Sequence, residues 1–466
     1  MTLNSDIHYD AVIIGSGQGG TPLARHLARQ GNKTGLIERK HVGGTCVNEG
    51  CTPTKTMIAS ARVAYLVDRA DDYGVLHEPP EIDLAKIRER KREVVESFRK
   101  SNLERIRNTE GLELLRGTGS FIDSYRLQVN SNTSEDKIIS AEQIFINTGA
   151  RPAIPPISGL EDVDYLDSTS IMELAEVPQS LLIIGGGYVG VEFGQMFSRF
   201  GSDVFIFQRG SQLLPHEDRD IAEEVLSILK EDGIEVFLNS EVQRVSRSDG
   251  NRISLTASGP DGEIIKSGSQ LLIATGRRPN TEDLNLEATG VQVDDRGYIQ
   301  VNGHLETDQD RTYALGDVKG GPAFTHISYD DFRVIRTNLS SEDSASISDR
   351  IVPYTVFTDP QLGRVGMTEE QARSEGYEVK IAKLPVEQIA RAIEVDETRG
   401  VMKAVVDGES DQILGAAVLG IDGGEISSAI QIAMMGDLTY RDLKDGVFAH
   451  PTTAESLNNL FMTLGN

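Results

Sequence analysis

The residues best suited to chemistry are the only two cysteines of the chain, Cys46 and Cys51, in the stretch GGTCVNEGCTPTKT at 43–56. At this spacing, with the first cysteine near a helix start, the two sulfurs can approach closely enough for a disulfide. A short, exposed bridge of this kind is easily reduced, which is typical of redox catalysis rather than of a structural cross-link. The pattern therefore predicts a thiol pair that exchanges electrons.

Two glycine-rich turns have the spacing of dinucleotide-binding turns. The sequence GSGQGG at 15–20 follows the apolar run 11–14, and GGGYVG at 185–190 follows the apolar run 181–184. Glycines let the backbone approach a pyrophosphate, whose charge then lies at a helix N-terminus. One such turn is a weak signal, because it also serves tight packing. Two turns, each in a strand–turn–helix–strand order, predict two nucleotide sites.

The residue that ends each unit predicts which cofactor it holds. Eighteen positions after the last glycine, the first unit has Glu38 and the second has Gln208, followed by Arg209. A carboxylate accepts hydrogen bonds from ribose hydroxyls, which suits FAD or NAD. A neutral amide does not repel a 2′-phosphate, and an arginine can pair with one. We expect FAD in the first unit and NADPH in the second; if Arg209 only faces solvent, NADH also binds.

The length of 466 residues indicates about three domains. The similar stretches TGARP at 148–152 and TGRRP at 275–279 each end in a proline that suits a crossover between domains. The fold class predicted is α/β, with two Rossmann-like dinucleotide-binding domains and a separate C-terminal α+β domain, which the family resemblance described below implies is a dimerisation domain. Their expected bounds are 1–152 with 280–350 for FAD, 153–279 for NAD(P)H and 351–466 for the interface. A polar loop is expected at 340–348.

The net charge of −26 argues against nucleic acid or an anionic membrane as a partner. No apolar run reaches the ~20 residues of a spanning helix. The segment 1–10 lacks the pattern of a secretory signal. We expect a protein of the cytoplasm, a reducing compartment in which paired cysteines are more often catalytic than structural.

Taken together, these motifs resemble the flavoprotein disulfide reductases, which include dihydrolipoamide dehydrogenase, glutathione reductase and mercuric reductase. The resemblance covers the whole chain and includes ALGD at 314–317 and HPTTAE at 450–455. The stretch FTHISYDDF at 324–332 and the TPTKT after Cys51 are most similar to mercuric-reductase-like members.

The resemblance implies a catalytic role for several side chains. Cys51 would be the thiol next to the flavin and Cys46 the thiol that meets substrate. Lys55 would lie near the flavin and pair with Glu192. His450, oriented by Glu455, would act as acid and base in the active site of the other subunit, which implies a homodimer with shared active sites. A histidine suits this role because it titrates near neutrality.

The resemblance also implies a set of cofactor-binding residues. Asp317 would bind the FAD ribitol, the backbone at 117–119 would contact the adenine end, and Tyr188 would shield the flavin until nicotinamide arrives. No metal is expected. The residues expected to contact the two cofactors are Gly15, Gly17, Gly20, Glu38, Gly44, Thr45, Lys55, Gly119, Thr148, Gly149, Gly185, Gly187, Tyr188, Gly190, Glu192, Gln208, Arg209, Gly276, Gly316 and Asp317.

The sequence differs from mercuric reductases in the residues that would bring an electron acceptor to the cysteine pair. We expect neither the C-terminal cysteine pair nor the N-terminal metal-binding module of mercuric reductases, so that soft-metal delivery would lack its ligands. We expect an FAD-dependent enzyme that passes electrons from NADPH through the Cys46–Cys51 disulfide to a small acceptor, with a low-molecular-weight disulfide as the first candidate. The alternatives are a metal-ion or quinone reductase, a dihydrolipoamide dehydrogenase, and a redox-sensing flavoprotein without turnover.

Overall fold

The structure is a computed structural model that describes residues 7–131, 135–248, 250, 252–340, 344–348 and 350–465. Part of the N-terminal segment in which no signal was expected (1–6) and part of the expected loop (341–343) lie outside the described residues. The helices, numbered along the chain, are α1 (Gly20–Arg29), α2 (Gly44–Asn48), α3 (Cys51–Asp68), α4 (Leu84–Arg107), α5 (Tyr188–Arg199), α6 (Arg219–Glu231), α7 (Thr325–Ser340), α8 (Glu369–Ser374), α9 (Ala390–Glu394), α10 (Gly423–Met435), α11 (Tyr440–Asp445) and α12 (Ser456–Met462).

Within the described residues the strands are distributed over five sheets. In chain order they are β1 (Ile7–Ile14), β2 (Thr34–Glu38), β3 (Leu112–Phe121), β4 (Arg126–Ser131), β5 (Lys137–Ile146), β6 (Ala150–Pro152), β7 (Ser180–Ile184), β8 (Asp203–Phe207), β9 (Glu235–Phe237), β10 (Glu241–Arg247), β11 (Ile253–Gly259), β12 (Gly262–Gly268), β13 (Gln270–Ile273), β14 (Arg277–Pro279), β15 (Thr312–Ala314), β16 (Pro353–Val356), β17 (Gln361–Gly366), β18 (Val379–Pro385), β19 (Val401–Asp407) and β20 (Ile413–Gly420).

The chain divides into two compact units, the first made of 1–56, 86–153 and 276–350 and the second of 57–85, 154–275 and 351–466. The predicted α/β fold class, with its two doubly wound parallel sheets and a C-terminal α+β part, is confirmed.

The first unit is built on a parallel sheet in the order β3–β2–β1–β5–β15, with β4 pairing antiparallel to the ends of β3 and β5. Residues of β1 alternate between two apolar clusters: Val12 and Ile14 pack on one face, and Ala11 and Ile13 on the other. Burial on both faces explains why this strand is a continuous apolar run. The carboxyl ends of its strands are where ligands bind in such sheets.

The two similar proline-ended stretches pair with each other. Strand β6 runs antiparallel to β14, with Ala150 opposite Pro279. Thr148 Oγ1 donates a hydrogen bond to the carbonyl oxygen of Asn280 at 2.8 Å, and the carbonyl oxygen of Gly149 accepts one from the Asn280 amide at 2.9 Å. The sequence repeat therefore forms a two-stranded ribbon at the points where the chain leaves and re-enters the first unit.

The second unit contains a parallel sheet, β13–β7–β8–β9, and the antiparallel sheet β10–β11–β12. Its C-terminal part is the antiparallel sheet β16–β17–β20–β19–β18, whose apolar face packs with α10 and α12. None of the helices in the described part of the chain has the length and apolar character needed to cross a bilayer.

Candidate active site

The first glycine-rich turn joins β1 to α1. The amide of Gly20, the first residue of α1, donates to Asn147 Oδ1 at 2.9 Å. A Cβ added to Gly20 would lie 2.2 Å from the carbonyl oxygen of Gly15, and one added to Gly17 would lie 2.8 Å from Asn147 Oδ1. Only glycine fits this close packing, which leaves the backbone free to approach a phosphate.

Glu38 lies at the carboxyl end of β2, beside the same turn. Its Oε2 accepts hydrogen bonds from the Ser16 amide at 3.2 Å and the Ser16 hydroxyl at 2.5 Å, and its Oε1 accepts from the Lys40 amide at 2.7 Å. The carboxylate is buried. These bonds hold an acceptor next to the turn, where a nucleotide ribose binds in such folds.

The two cysteines lie on consecutive helices, of which the first begins against this turn. Cys46 belongs to α2, and Cys51 is the first residue of α3. Gly44 begins α2 with φ of +63°, and a Cβ there would lie 2.6 Å from the Cα of Gly17. The cysteine segment therefore packs directly on the dinucleotide turn.

Cys46 and Cys51 are not joined by a disulfide in the structure. A hydrogen bond with Cys51 and burial raise the pKa of the Cys46 thiol far above its usual range, against smaller opposing effects of the Thr325 hydroxyl and the Lys55 ammonium. The Sγ of Cys51 lies 3.4 Å from the Oγ1 of Thr325. The two thiols therefore titrate together: loss of a proton from one sulfur disfavours loss of a proton from the other.

Asp317 lies beside Arg277 in the first unit. Burial foremost raises the pKa of its carboxyl, while Arg277 and Lys319 oppose the shift. Its Oδ2 is 3.9 Å from Arg277 Nε, a buried atom with no hydrogen-bond partner among the described residues. A ligand bearing hydroxyl and phosphate groups would satisfy both side chains. With the glycine turn and Glu38, this donor and acceptor set fits FAD.

The second turn, in the second unit, joins β7 to α5. A Cβ added to Gly190 would lie 1.9 Å from the carbonyl oxygen of Gly185, and one added to Gly187 would meet no described atom within 4 Å. The first contact requires glycine, and the second leaves open space beside the backbone. The residues fit a second dinucleotide.

Gln208 and Arg209 follow strand β8 beside this turn. Gln208 Oε1 accepts a hydrogen bond from the Gly186 amide at 3.0 Å, so the amide occupies the place that Glu38 has in the first unit. The Arg209 side chain is 82% exposed, and its Nη1 is 3.9 Å from Glu241 Oε1. An exposed guanidinium next to the turn is accessible to a phosphate.

Tyr188 is the first residue of α5, and Glu192 is the fifth. The Tyr188 ring lies 5.5 Å from the Tyr354 ring, and burial raises the pKa of its hydroxyl. Glu192 is buried and accepts a hydrogen bond from the Phe357 amide at 2.8 Å. Lys55 belongs to the first unit and Glu192 to the second, and their pairing stays a prediction.

His450 and Glu455 contact each other near the C-terminus. The Nδ1 of His450 lies 2.9 Å from Glu455 Oε1, and the His450 side chain is 71% exposed. The Glu455 amide donates to Thr452 Oγ1 at 3.3 Å, which fixes the turn that carries the carboxylate. The imidazole is thus oriented by a carboxylate, with its Nε2 edge available.

Sequence reasoning missed two polar residues of the first unit. Asn147 connects the turn to the Leu315 carbonyl, to which its Nδ2 donates at 2.7 Å. Thr325 contacts the thiols from the start of α7. The available signals were a polar residue directly after a buried strand, and a hydroxyl at a helix start in a stretch already recognised as similar to other members.

A group of possible metal ligands lies on the first sheet. The ligand atoms of His8, Asp10 and Glu142 lie within 4.8 Å of one another. Asp10 also accepts from the Lys33 amide at 2.7 Å, and Glu142 lies 3.7 Å from Arg311. The group is not part of the predicted site, and the absence of a resident metal stays a prediction.

Comparisons with known proteins agree with one another. A family profile for pyridine nucleotide-disulphide oxidoreductases matches residues 9–331, and the dimerisation domain of the same family matches residues 352–461. The probable pyridine nucleotide-disulfide oxidoreductase RclA of Escherichia coli is 40% identical over 97% of this chain and 98% of its own length. The mercuric reductase of Staphylococcus aureus is 37% identical over 99% and 83% of the two chains. The dihydrolipoyl dehydrogenase of Thermus scotoductus is 36% identical over 96% of each chain.

The solved structures include a Cu(II) complex of the HOCl-induced flavoprotein disulfide reductase RclA from Escherichia coli. It superposes with a TM-score of 0.88 at 40% identity, covering 97% of this chain and 99% of that one.

Proposed function

Because this chain belongs to the pyridine nucleotide-disulphide oxidoreductase family, we propose that it carries an electron pair from NADPH through bound FAD to Cys46 and Cys51 and on to a low-molecular-weight disulfide. The family makes it an FAD-dependent NAD(P)H oxidoreductase of the flavoprotein disulfide reductase type. We propose in addition the roles of individual residues, NADPH as the electron donor and a small disulfide as the acceptor. The observation that carries it is the thiol pair, which shares a hydrogen bond and packs against a dinucleotide turn.

FAD would be held by the first unit, with its pyrophosphate at the turn 15–20, a ribose at Glu38 and its ribitol hydroxyls at Asp317. When bound, FAD takes up hydride from the reduced nicotinamide and passes the electron pair to a disulfide. The residues Gly44, Thr45, Gly119, Thr148, Gly149, Gly276 and Gly316 would line the remainder of this site.

The pyridine nucleotide would bind at the second turn, with Gly185, Gly187 and Gly190 along its pyrophosphate. Gln208 supports NADPH because a neutral amide, already bonded to Gly186, places no negative charge near a 2′-phosphate. Arg209 is exposed beside it and could pair with that phosphate. Tyr188, at the start of α5, would cover the flavin until nicotinamide binds.

The thiols would then carry the electrons. A disulfide that gains two electrons and one proton becomes the Cys46 thiol and the Cys51 thiolate, and the raised pKa of Cys46 supports this distribution of the proton. Lys55, whose charge acts on the pair, would further stabilise the negative charge. The resemblance implies that Glu192 would pair with this lysine.

The high pKa of Cys46 creates a need for a base, because only a thiolate attacks a disulfide. His450 of the other subunit would take the Cys46 proton. The Cys46 thiolate attacks one sulfur of the substrate, the substrate S–S bond breaks, and the leaving thiolate receives the proton from the imidazolium. Cys51 then attacks Cys46, releases the second substrate thiolate and restores the enzyme disulfide. Glu455 stabilises the imidazolium.

The assembly and location follow the same reasoning. The dimerisation domain at 352–461 supports a homodimer, in which each subunit would supply His450 to its partner. We propose domain bounds of 1–152 with 280–350, 153–279 and 351–466, and a cytoplasmic location in keeping with a catalytic cysteine pair.

The acceptor is tested with NADPH and a panel of small disulfides, quinones and metal ions. We expect turnover of at least one small disulfide, and its loss in Cys46→Ala with the bound flavin and its reduction by NADPH retained. Turnover of a quinone alone, unaffected by Cys46→Ala, would contradict the thiol route. Turnover of dihydrolipoamide with NAD⁺ in preference to disulfide reduction would assign the dihydrolipoamide dehydrogenase reaction. No turnover with any acceptor, together with a partner that binds only one redox form, would indicate a sensor.

Metal-ion reduction is a second candidate because of two relatives: the mercuric reductase, and the RclA structure that is a Cu(II) complex. The two thiols are soft ligands suited to Cu(I) and related ions. NADPH-dependent loss of Cu(II) or Hg(II) that is faster than that of every disulfide, and that requires both cysteines, would favour this reaction.

A further inference from the structure

We infer that Thr325 is a positioning residue that stabilises the Cys51 thiolate by donating a hydrogen bond from its hydroxyl to the sulfur. This inference rests on the proposed function, since it concerns the same thiol pair. It adds a residue outside the dinucleotide and cysteine motifs to the group that controls the chemistry.

The geometry brings one hydroxyl to both sulfurs. Thr325 Oγ1 is 3.4 Å from Cys51 Sγ, within the range of a hydrogen bond to sulfur, and the same hydroxyl also interacts with Cys46. A hydroxyl has one proton, so it donates to only one sulfur at a time. The sulfur that carries negative charge is the better acceptor.

In the reduced pair, the negatively charged sulfur is that of Cys51. Cys46 retains its proton, because its hydrogen bond with Cys51 and its burial raise its pKa. Cys51 as a thiolate can therefore accept from Cys46 Sγ–H on one side and from Thr325 Oγ–H on the other. Two donors aimed at one sulfur stabilise its negative charge.

The position of Thr325 in the fold makes this contact reproducible. Thr325 is the first residue of α7, a helix of 16 residues, whose N-terminus favours an adjacent negative charge. The helix start is fixed by a hydrogen bond from the Ser328 amide to the Phe324 carbonyl at 3.1 Å and by stacking of Phe324 on His326, with ring centroids 5.4 Å apart. The hydroxyl therefore comes from an anchored turn.

The experiment compares Thr325→Val, which removes the hydroxyl at nearly constant volume, with Thr325→Ser, which keeps it. The flavin-bound protein is reduced by two electrons without oxygen, and its long-wavelength thiolate–flavin absorbance is followed against pH. A second measurement follows iodoacetamide alkylation of Cys51 against pH, with the peptide identified by mass spectrometry. Thr56→Val is the matched control, because the Thr56 hydroxyl donates to the Thr52 carbonyl at 2.8 Å within α3.

We expect the midpoint pH of both profiles to rise by about one unit in Thr325→Val, a roughly tenfold weaker ionisation, and to stay near wild type in Thr325→Ser and Thr56→Val. At a pH above both midpoints, where Cys51 is a thiolate in the wild type and in the variant, a tenfold weaker ionisation lowers the two-electron midpoint potential of the pair by ~30 mV. Unchanged midpoints in Thr325→Val would overturn the inference while leaving the proposed function intact. A wild-type protein without the long-wavelength band would instead contradict the proposed function, and the inference with it.

Discussion

The imidazole Nδ1 of His450 lies 2.9 Å from Oε1 and 3.0 Å from Oε2 of Glu455. The carboxylate is only 19% exposed, whereas the imidazole is 71% exposed. A mostly buried carboxylate therefore holds one nitrogen of a histidine whose other nitrogen points outward. This is the arrangement of an acid–base group whose substrate arrives from outside its own chain segment.

The first prediction concerns this pair. In Glu455→Gln we expect kcat with a disulfide substrate to fall by about tenfold or more, because the amide no longer stabilises the imidazolium, and in His450→Ala by on the order of 10²-fold. Stopped-flow reduction of the flavin by NADPH is expected to be unchanged in both. A variant that slows flavin reduction as much as turnover would contradict a role confined to the thiol steps.

The second prediction concerns coenzyme choice. Replacing Arg209 with Gln removes an exposed cation beside the second turn, and we expect kcat/KM for NADPH to fall about tenfold with little change for NADH. Arg219→Gln is a matched control, because Arg219 is an exposed arginine of the same unit that pairs with Glu223. Gln208→Glu should shift preference toward NADH, since the carboxylate repels a 2′-phosphate.

Wild-type initial rates with the two coenzymes at equal concentration complete this comparison. A clear wild-type preference for NADH would contradict the NADPH assignment and leave the second turn as a site for NADH.

The third prediction separates stability from cofactor binding at Asp317. Burial raises the pKa of this carboxyl, so its contribution to stability is present below its unfolded-state pKa and is lost as pH rises through the folded-state value. Asp317→Asn removes this ionisation, so the flavin-free variant should be at least as stable as wild type at pH values above the unfolded-state pKa, with the difference shrinking as the pH falls toward that value. FAD affinity should fall about tenfold because a charge-assisted hydrogen bond is lost.

Thermal unfolding of flavin-free protein and equilibrium FAD titration measure the two effects. Asp308→Asn, at an exposed aspartate of the same unit, is the control. Wild-type FAD affinity in Asp317→Asn would contradict a contact between this carboxylate and the cofactor.

The fourth prediction concerns a buried ion cluster in the second unit. Arg364 is 1% exposed, and its Nη2 donates to Glu217 Oε2 at 2.7 Å and to Asp218 Oδ2 at 2.5 Å. Arg364→Met leaves the buried Glu217 without its cation and Asp218 with Lys403 alone, whose Nζ lies 3.4 Å from Asp218 Oδ1, and we expect the free energy of unfolding to fall by about 3–5 kcal/mol. Arg441→Met, which breaks a surface pair with Asp411, should change the free energy of unfolding far less, because water screens this pair. Equal effects in chemical denaturation would contradict the burial argument.

The sequence predicted most strongly those features that depend on local chemistry. The turns at 15–20 and 185–190 require glycine because neighbouring carbonyl oxygens occupy the space of a Cβ, and this requirement is visible as a motif. The apolar runs before them predicted β1 and β7, because strands buried on both faces are apolar throughout. The fold class could therefore be obtained from the sequence.

Long-range contacts could not be predicted in the same way. The proximity of Thr325 to Cys51 joins residues 274 positions apart in the chain, and no local pattern encodes it. Asn147 likewise acts through bonds to Gly20 and to the Leu315 carbonyl, which only the sheet order brings together. The pairing of β6 with β14 gave the repeated proline-ended stretches a structural meaning that their similarity alone did not supply.

The central claim is that electrons from NADPH reach Cys46 and Cys51 through bound FAD. Anaerobic titration of the purified flavin-bound protein with NADPH tests it most directly. We expect a long-wavelength absorbance band from the Cys51 thiolate next to oxidised flavin after one equivalent of NADPH, and its loss in Cys51→Ser with bound flavin retained. A colourless protein, or a wild-type titration that bleaches the flavin without this band, would contradict the claim.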